Sequence, residues 1–595
     1  MKKFYCSFIF LFLFTLYIDS KPLVIYSDPV PNAKYVSVNN GIVIGFKSEL
    51  DERTLTSTII SVRGEKSGLH EGEILFISGQ NRILFKPFRS FEFNERVYIK
   101  LNKGIKTSLG AEVEQFSFSF NTQKKKIYRG PTKSIEDELA EVRKYIGNLN
   151  SNSPLDPPYL NVTISNNPMP GQTFLSNFPF NPNTQNIPYL IISENTGIPY
   201  VAIQKNASAL DFKKQPNGNL TYYHGLDSVF YESDVNYNTI DQYVCGNGYT
   251  TDVHELIILD NGHSLLMSYD SQPVDMSKIV QGGNPNAIVI GLIIQELDVN
   301  KNVVFQWRSW DHFQITDPIY VNLLDSVIDY VHGNAIDRDF DGNILISSRH
   351  LDEITKINRI TGDVIWRLGG RNNQFTFIND SVRFSYQHGI RRLQNGNIIL
   401  YDNGNNHTPP YSRAVEYTLD EQNLTATLSW QYRNNPAIFG PAMGFAQRLS
   451  NGNTLISWGA ANPTITEVTP DGKIALEMSL PQGIFTYRAF KDNWSGPQTI
   501  GPGTNDIPLN YSLSQNYPNP FNPSTRIKFG LPYSSFVSIK LYDILGREVA
   551  TIVNTDFIAG FHTAQFNSSG FPSGVYFYTI IARDFKESKK MVIVK

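Results

Sequence analysis

Apolar and polar residues alternate in short runs along most of the chain, as in Gly41-Ile-Val-Ile-Gly-Phe46 and Arg82-Ile-Leu-Phe85. A period of two marks half-buried β-strands, and Gly and Pro turns separate the runs. Over residues 22–123 this spacing predicts a β-sandwich. Between 189 and 494 the pattern repeats. Five times an Asn/Asp-Gly-Asn/His turn sits between two apolar runs, at Gly218, Gly262, Gly342, Gly396 and Gly452. Such turns predict hairpins. Second hairpins follow in several units and end in a bulky residue, as at Trp307, Trp366 and Trp430. Successive turn glycines lie 44, 80, 54 and 56 residues apart. Four strands per unit at that period predict propeller blades, six in all once degenerate ends are included. The 80-residue interval requires an insertion, placed around 271–290 and 311–330.

The flanks differ in pattern. Lys2 and Lys3 precede an apolar run too short to span a bilayer, so residues 1–20 read as a secretory signal peptide. Residues 124–188 read as a linker, with one helix over Ser134–Ile146 and Pro- and Asn-rich cover for the next domain. A second linker covers 495–507, and 508–595 alternate again as a small sandwich. The expected fold class is all-β: a six-bladed propeller between two β-sandwiches. The first sandwich reads as a spacer.

Composition narrows the function. The chain has 595 residues, 41% hydrophobic, 13% aromatic and only 18% charged, against about 25% charged in an ordinary soluble domain. Such a chain buries large cores. A net charge of −3 leaves no basic stripe for nucleic acid. No later run is long enough for a transmembrane anchor. Without the leader one cysteine remains, Cys245, read as a small buried hydrophobe.

Eight of the ten histidines lie between 224 and 407. Superposing the repeats places His254, His332 and His388 at one position, eight or ten residues before the turn glycine; the next blade has Gly444 there. Equivalent positions on innermost strands converge on the propeller axis, so three imidazoles are expected there. Arg349 and Asn403 each lie seven residues after their turn glycine. An antiparallel hairpin returns Arg349 beside His332 and Asn334, and Asn403 beside His388. Imidazoles, a guanidinium and amides suit a compact oxyanion such as sulfate or phosphate. His263, His312, His350 and His407 fall in turns or insertions and read as surface residues, with His407, near Asp402 and Asn403, placed where it could also edge the pocket. Asp337-Arg-Asp-Phe-Asp-Gly342 imitates a calcium loop, but Ser348 stands at its twelfth position, so it reads as a blade turn. Trp307, Trp366 and Trp430 read as core plugs.

Three stretches of the chain resemble known families. Leu50-Asp51 and Phe118-Ser-Phe-Asn-Thr122 resemble bacterial Ig-like domains. Asn516-Tyr-Pro-Asn-Pro-Phe-Asn-Pro-Ser-Thr525, Tyr542-Asp-Ile-Leu-Gly-Arg-Glu548 and Gly574-Val-Tyr576 resemble C-terminal sorting domains of the type IX secretion system. That implies contact with secretion machinery and export to the cell surface or medium. Thr251-Asp-Val-His254, His332-Gly-Asn334, Ile346-Ser-Ser-Arg349, Trp366-Arg-Leu-Gly369, Tyr386-Gln-His388, Tyr401-Asp-Asn-Gly404 and Ser412-Arg-Ala-Val-Glu-Tyr417 resemble the bacterial aryl-sulfate sulfotransferases. Those are six-bladed propellers that move a sulfuryl group between phenols without a nucleotide donor.

The sulfotransferase resemblance implies a phenolic sulfate donor, a phenol acceptor and no cofactor or metal. It assigns the nucleophile to His388 and sulfuryl binding to His254, His332, Asn334 and Arg349; Asn403 joins as a binding amide from its place in the hairpin. A cysteine pair that some relatives carry is missing. Two other classes stay open: a metal-dependent hydrolase using the three imidazoles, and a non-catalytic module binding sulfated ligands.

Overall fold

A computed structural model describes residues 24–125, 159–179, 188–502, 511–532, 535–557 and 560–594. The signal peptide and the helix expected over Ser134–Ile146 lie outside the described residues. Strands dominate the regular structure of the described residues, and helix is nearly absent. No described helix is long and apolar enough to cross a membrane.

Six sheets form the propeller. In blades 2 to 5 the innermost strands are Ala209–Lys214, Thr251–Ile258, Gly333–Arg338 and His388–Arg392. Blade 6 starts at Phe445–Arg448. Each returns through one of the five turns read from sequence, whose glycines have φ between 78° and 89°. A side chain there would be forced into the left-handed region, which is why Gly recurs.

Closure was not legible in the repeat. Blade 1 takes its innermost strand from Ala489–Asp492, which pairs with Gln172–Ser176. Blade 6 gains a fifth strand, Asn161–Ser165, on Ile474–Ser479. Two blade strands, and the short Phe178–Pro179 strand on Ile484–Phe485, therefore come from the segment expected to be linker and cover, and this corrects that expectation. Thr499–Pro502, expected in the second linker, pairs in parallel with Pro199–Gln204 as the outer strand of blade 1. Closure ties strands some 300 residues apart, and such short Asn- and Pro-flanked runs carry no period of their own.

All six blades meet at a charged plug on the axis. Glu255 of blade 3 accepts from Lys213 of blade 2, from Arg391 of blade 5 at 2.8 Å and from Arg488, which leads into blade 1, at 2.8 Å. Arg488 also donates to the Asn334 carbonyl of blade 4 and stacks over Phe445 of blade 6. Burial alone would raise the Glu255 carboxyl, but Arg391, Lys213 and Arg488 outweigh it and hold it far below the usual range. Breaking such a buried network by removing one partner costs about 3–5 kcal/mol.

The insertion in blade 3 lengthens its middle hairpin. Ser264–Val274 and Ala287–Leu297 pair along eleven residues each, well past the end of the inner strand, which pairs only as far as Thr251 with Ser268. The loop that follows runs through one helical turn, Ser309–His312, and returns as Val327–Asp329 on the same hairpin.

The N-terminal sandwich packs two four-stranded sheets around Val36, Ile42, Ile44, Val62, Val97 and Phe120. Its expected role as a spacer needs correcting, because it seals the outer edge of blade 3. The Tyr26 hydroxyl donates to the Gln306 carbonyl and accepts from the Gln306 amide, both at 2.9 Å. Arg82 donates to the Val304 carbonyl at 2.6 Å and stacks on Tyr26 and Phe305. These groups satisfy strand-edge amides and carbonyls that would otherwise invite another chain. The C-terminal sandwich has a three- and a four-stranded sheet around Ile539, Leu541, Tyr578 and Met591.

Trp307 and Trp366 are buried between strands as expected; Trp430 is half-buried under Arg448. Cys245 is buried. The calcium-like segment is a blade turn, with Asp339 bridged to Lys356 and Arg392.

Candidate active site

The innermost strands run from the histidine end of the propeller to the turn end. In blades 3, 4 and 5 a β-bulge interrupts the ladder at that start, between Thr251 and Leu256, Gly333 and Ala335, and His388 and Arg391. Bulges re-aim side chains out of the strand's alternation. Gly389 (φ 68°) makes the bend beside His388, where a Cβ would lie 2.5 Å from the Phe445 ring. His332 and Tyr386 take left-handed backbones (φ 48° and 54°) without being glycine. Each such residue costs on the order of 1–3 kcal/mol, strain typical of functional sites.

All six candidate residues are buried at the axis: His254, His332, Asn334, His388 and Asn403 fully, Arg349 to 1% exposure. The rings of His254 and His332 meet edge to face, 5.4 Å apart, with Tyr269 and Tyr487 packed on His254. The hairpin returns Arg349 as expected: its amide donates to the His332 carbonyl at 2.8 Å. Its guanidinium lies 4.3 Å from the centre of the Tyr386 ring and donates to the Pro441 carbonyl. The Tyr386 carbonyl in turn accepts from His388 Nδ1 at 3.1 Å. Asn403 reaches the same Nδ1 with its Oδ1 at 2.7 Å. The Asn334 amide donates to the Gln387 carbonyl, which ties blade 4 to the residue before His388.

What backs each imidazole differs. His254 Nδ1 faces the Asp252 carboxylate at 2.5 Å, and His332 Nδ1 faces Asp329 at 2.7 Å. Burial would raise the Asp329 carboxyl, but His332 and His350 outweigh it and hold it below the usual range. His388 Nδ1 instead meets two uncharged oxygens, of Asn403 and Tyr386. The Asn403 amide cannot flip, because its nitrogen donates to the Gly440 and Met443 carbonyls at 2.8 and 3.0 Å. Its oxygen must therefore accept, so His388 carries a proton on Nδ1, and in the neutral ring the lone pair is on Nε2.

His350 corrects the reading as a surface residue. It is enclosed beside the site, its ring 4.7 Å from that of His332, and burial pushes it down to about 4. His407 is buried too, 3.5 Å from Asp402, and His312 stacks flat on Trp307. His263 is half-buried against Glu296. Their turn and insertion positions misled because other elements fold over them.

Sequence reasoning also missed Asp252, Asp329, Tyr487 and Arg488. Only Asp252 left a signal: two residues before His254 in an extended run, it shares that residue's face. Among the described residues one group has His and carboxylate donors close enough together for a metal ion: Asp329, His332 and His350. It is not the trio of imidazoles that the metal reading expected. These donors also already serve one another, His332 Nδ1 bonding the Asp329 carboxylate and His350 Nδ1 the Asp329 carbonyl at 2.6 Å.

Comparison with known proteins adds three family matches. Residues 218–480 match the family described as Arylsulfotransferase (ASST). Residues 19–122 match the bacterial Ig-like domain, and 515–594 the secretion system C-terminal sorting domain. The first match supports arylsulfotransferase activity in general and phenolic substrates; the last supports export by the type IX route. No curated protein matches the chain. Solved structures similar to it include a protein of unknown function from Bacteroides caccae (12% identity, 56% of this chain and 98% of that one, TM-score 0.33). A streptogramin B lyase (9%, 56% and 98%, TM-score 0.31) and a gluconolactonase from Xanthomonas campestris (11%, 50% and 82%, TM-score 0.29) are also similar. Likenesses this distant carry no argument about the site.

Proposed function

We propose that the propeller is an aryl-sulfate sulfotransferase that works through a sulfohistidine on His388. The observation that carries this reading is the unequal backing of the three imidazoles. A nucleophile must offer a lone pair, and an amide and a carbonyl at Nδ1 favour a neutral His388 whose lone pair is on Nε2. A carboxylate raises the proton affinity of its histidine, so His254 and His332 are suited to hold a second proton.

His388 Nε2 attacks the sulfur of an aryl sulfate in line, the S–O bond to the aryl oxygen breaks, and the phenolate departs. The imidazolium of His332 or His254 gives the phenolate its proton. Arg349 and the protonated imidazoles neutralise charge on the sulfuryl oxygens, and the Asn334 amide helps to hold the loop before His388 in place. In the second half an acceptor phenol gives its proton to the same imidazole, its oxygen attacks the sulfur, and His388 is regenerated. Splitting the transfer makes it ping-pong. Aryl sulfates are better donors than alkyl sulfates because phenols, with a pKa near 10, leave more readily.

The test is phenol release from a chromogenic aryl sulfate with and without an acceptor phenol. Acceptor-dependent release with parallel double-reciprocal lines is expected. A folded protein that releases no phenol from a panel of aryl sulfates contradicts the reading and leaves the binding-module alternative.

A further inference from the structure

We propose that His350 is a positioning residue: it holds the Arg349 guanidinium at the sulfuryl site by accepting a hydrogen bond from Nη1 at Nε2, and Asp329 fixes His350 in the tautomer that can do so. This rests on the reading of Arg349 as an oxyanion ligand.

The argument starts from what each group can do. A guanidinium only donates, so the 2.9 Å contact between Arg349 Nη1 and His350 Nε2 needs a lone pair on that nitrogen. The ring proton of His350 then sits on Nδ1. That nitrogen lies 2.6 Å from the Asp329 carbonyl, which only accepts. Both ends of the ring therefore demand the same tautomer.

Asp329 uses two different oxygens on two neighbouring rings. Its carboxylate backs His332 and its neutral carbonyl backs His350. One residue thus favours a proton on the first ring and keeps the second an acceptor. Arg349 is otherwise steadied by the Pro441 carbonyl at 3.1 Å and by the Tyr386 face. Removing His350 takes away the acceptor that Nη1 meets at 2.9 Å, which loosens the hold on the fork and lets it shift relative to the sulfuryl oxygens. The chain makes the arrangement possible because the strand Ile344–Ser348 ends just before. The Arg349 and His350 amides then donate to His332 and Val331 in turn, which wraps both residues around the His332 loop.

A double-mutant cycle separates positioning from general stability. The variants are His350→Phe, which keeps a ring but no acceptor, Arg349→Met, and both together. The assay is kcat and KM for 4-nitrophenyl sulfate at saturating acceptor. His350→Phe is expected to lower kcat about 10- to 100-fold with little change in KM, the size of effect a small misplacement produces. In the Arg349→Met background the same change is expected to cost less than about twofold. His350→Gln, whose Oε1 can accept from Arg349, is expected to stay within about threefold of wild type. His350→Asn reaches only the Asp329 side and stands in for the Phe variant should that one fail to fold.

An equal cost with and without Arg349, or His350→Gln as damaged as His350→Phe, overturns the inference. If the wild type turns over no aryl sulfate, the sulfotransferase reading fails separately. The same cycle is then read from the affinity for inorganic sulfate by calorimetry. Non-additivity there upholds the positioning role, and additive or absent effects overturn it.

Discussion

Two kinds of imidazole stand at the starts of three consecutive inner strands. On blades 3 and 4, His254 and His332 each turn Nδ1 to a carboxylate; on blade 5, His388 turns the same atom to an amide and a carbonyl. Sequence position makes the three equivalent, since each stands at the same place before its turn. The backing atom makes them different. A repeat architecture supplies equivalent positions, and on the proposed mechanism chemistry is divided by changing the partner rather than the histidine.

The largest effect should come from removing the amide-backed ring. His388→Ala is expected to lower acceptor-dependent transfer by at least about 10⁴-fold, as loss of a nucleophile does elsewhere. A comparable loss from His254→Ala with His388→Ala still active would reverse the assignment.

Next in size is Asp329→Asn, which removes the charge behind His332 but keeps the carbonyl behind His350. A loss of about 10- to 100-fold is expected, in the range of general acid catalysis. It should be larger for phenyl sulfate than for 4-nitrophenyl sulfate, because the poorer leaving group needs its proton more. Equal losses for both donors would mean that Asp329 does not serve proton transfer.

Asn403→Asp erases the distinction from the other side. A carboxylate behind His388 favours its protonated form, so the acid limb of the pH–rate profile is expected to move up by about 1–3 pH units. Activity should then recover at alkaline pH. An unmoved limb in a variant that melts like wild type would break the link between backing and nucleophilicity.

The smallest effect lies at the junction with the N-terminal sandwich, where the same rule applies to a carboxyl. Asp28 is met by amides of Asn40 and Gln306. Burial pushes it up to about 7, against the lowering effect of Asn40 and Arg308. Asp329, met by imidazoles, stays low. A raised carboxyl stabilises the fold below its unfolded pKa near 3.8, and that stability fades as pH rises through 7. The stability of wild type minus that of Asp28→Asn, from chemical denaturation, is therefore expected to fall between pH 4 and 7, by on the order of a few kcal/mol. Taking the difference removes other groups that titrate in the same window, such as His312 and His350. A flat difference contradicts the burial argument.

The alternation, the turn glycines and the three aligned histidines were readable because each is a local, repeated signal. Arg349 and Asn403 were readable one step further, from hairpin geometry. Asp329 was not. It lies three residues before His332, which itself takes the left-handed backbone, outside any period. His350 was misread because its place after a strand says nothing of what closes over it. Arg488 and the closing strands act across the whole propeller, and no spacing announces a contact between residues 334 and 488.

The most direct measurement is to react the protein with an aryl sulfate in the absence of acceptor, quench in alkali and map the modified peptide by mass spectrometry. The account predicts one sulfuryl group, on His388, discharged on adding a phenol and absent from His388→Ala. A sulfuryl group on His254 or His332, or turnover with no modified peptide at all, would contradict it.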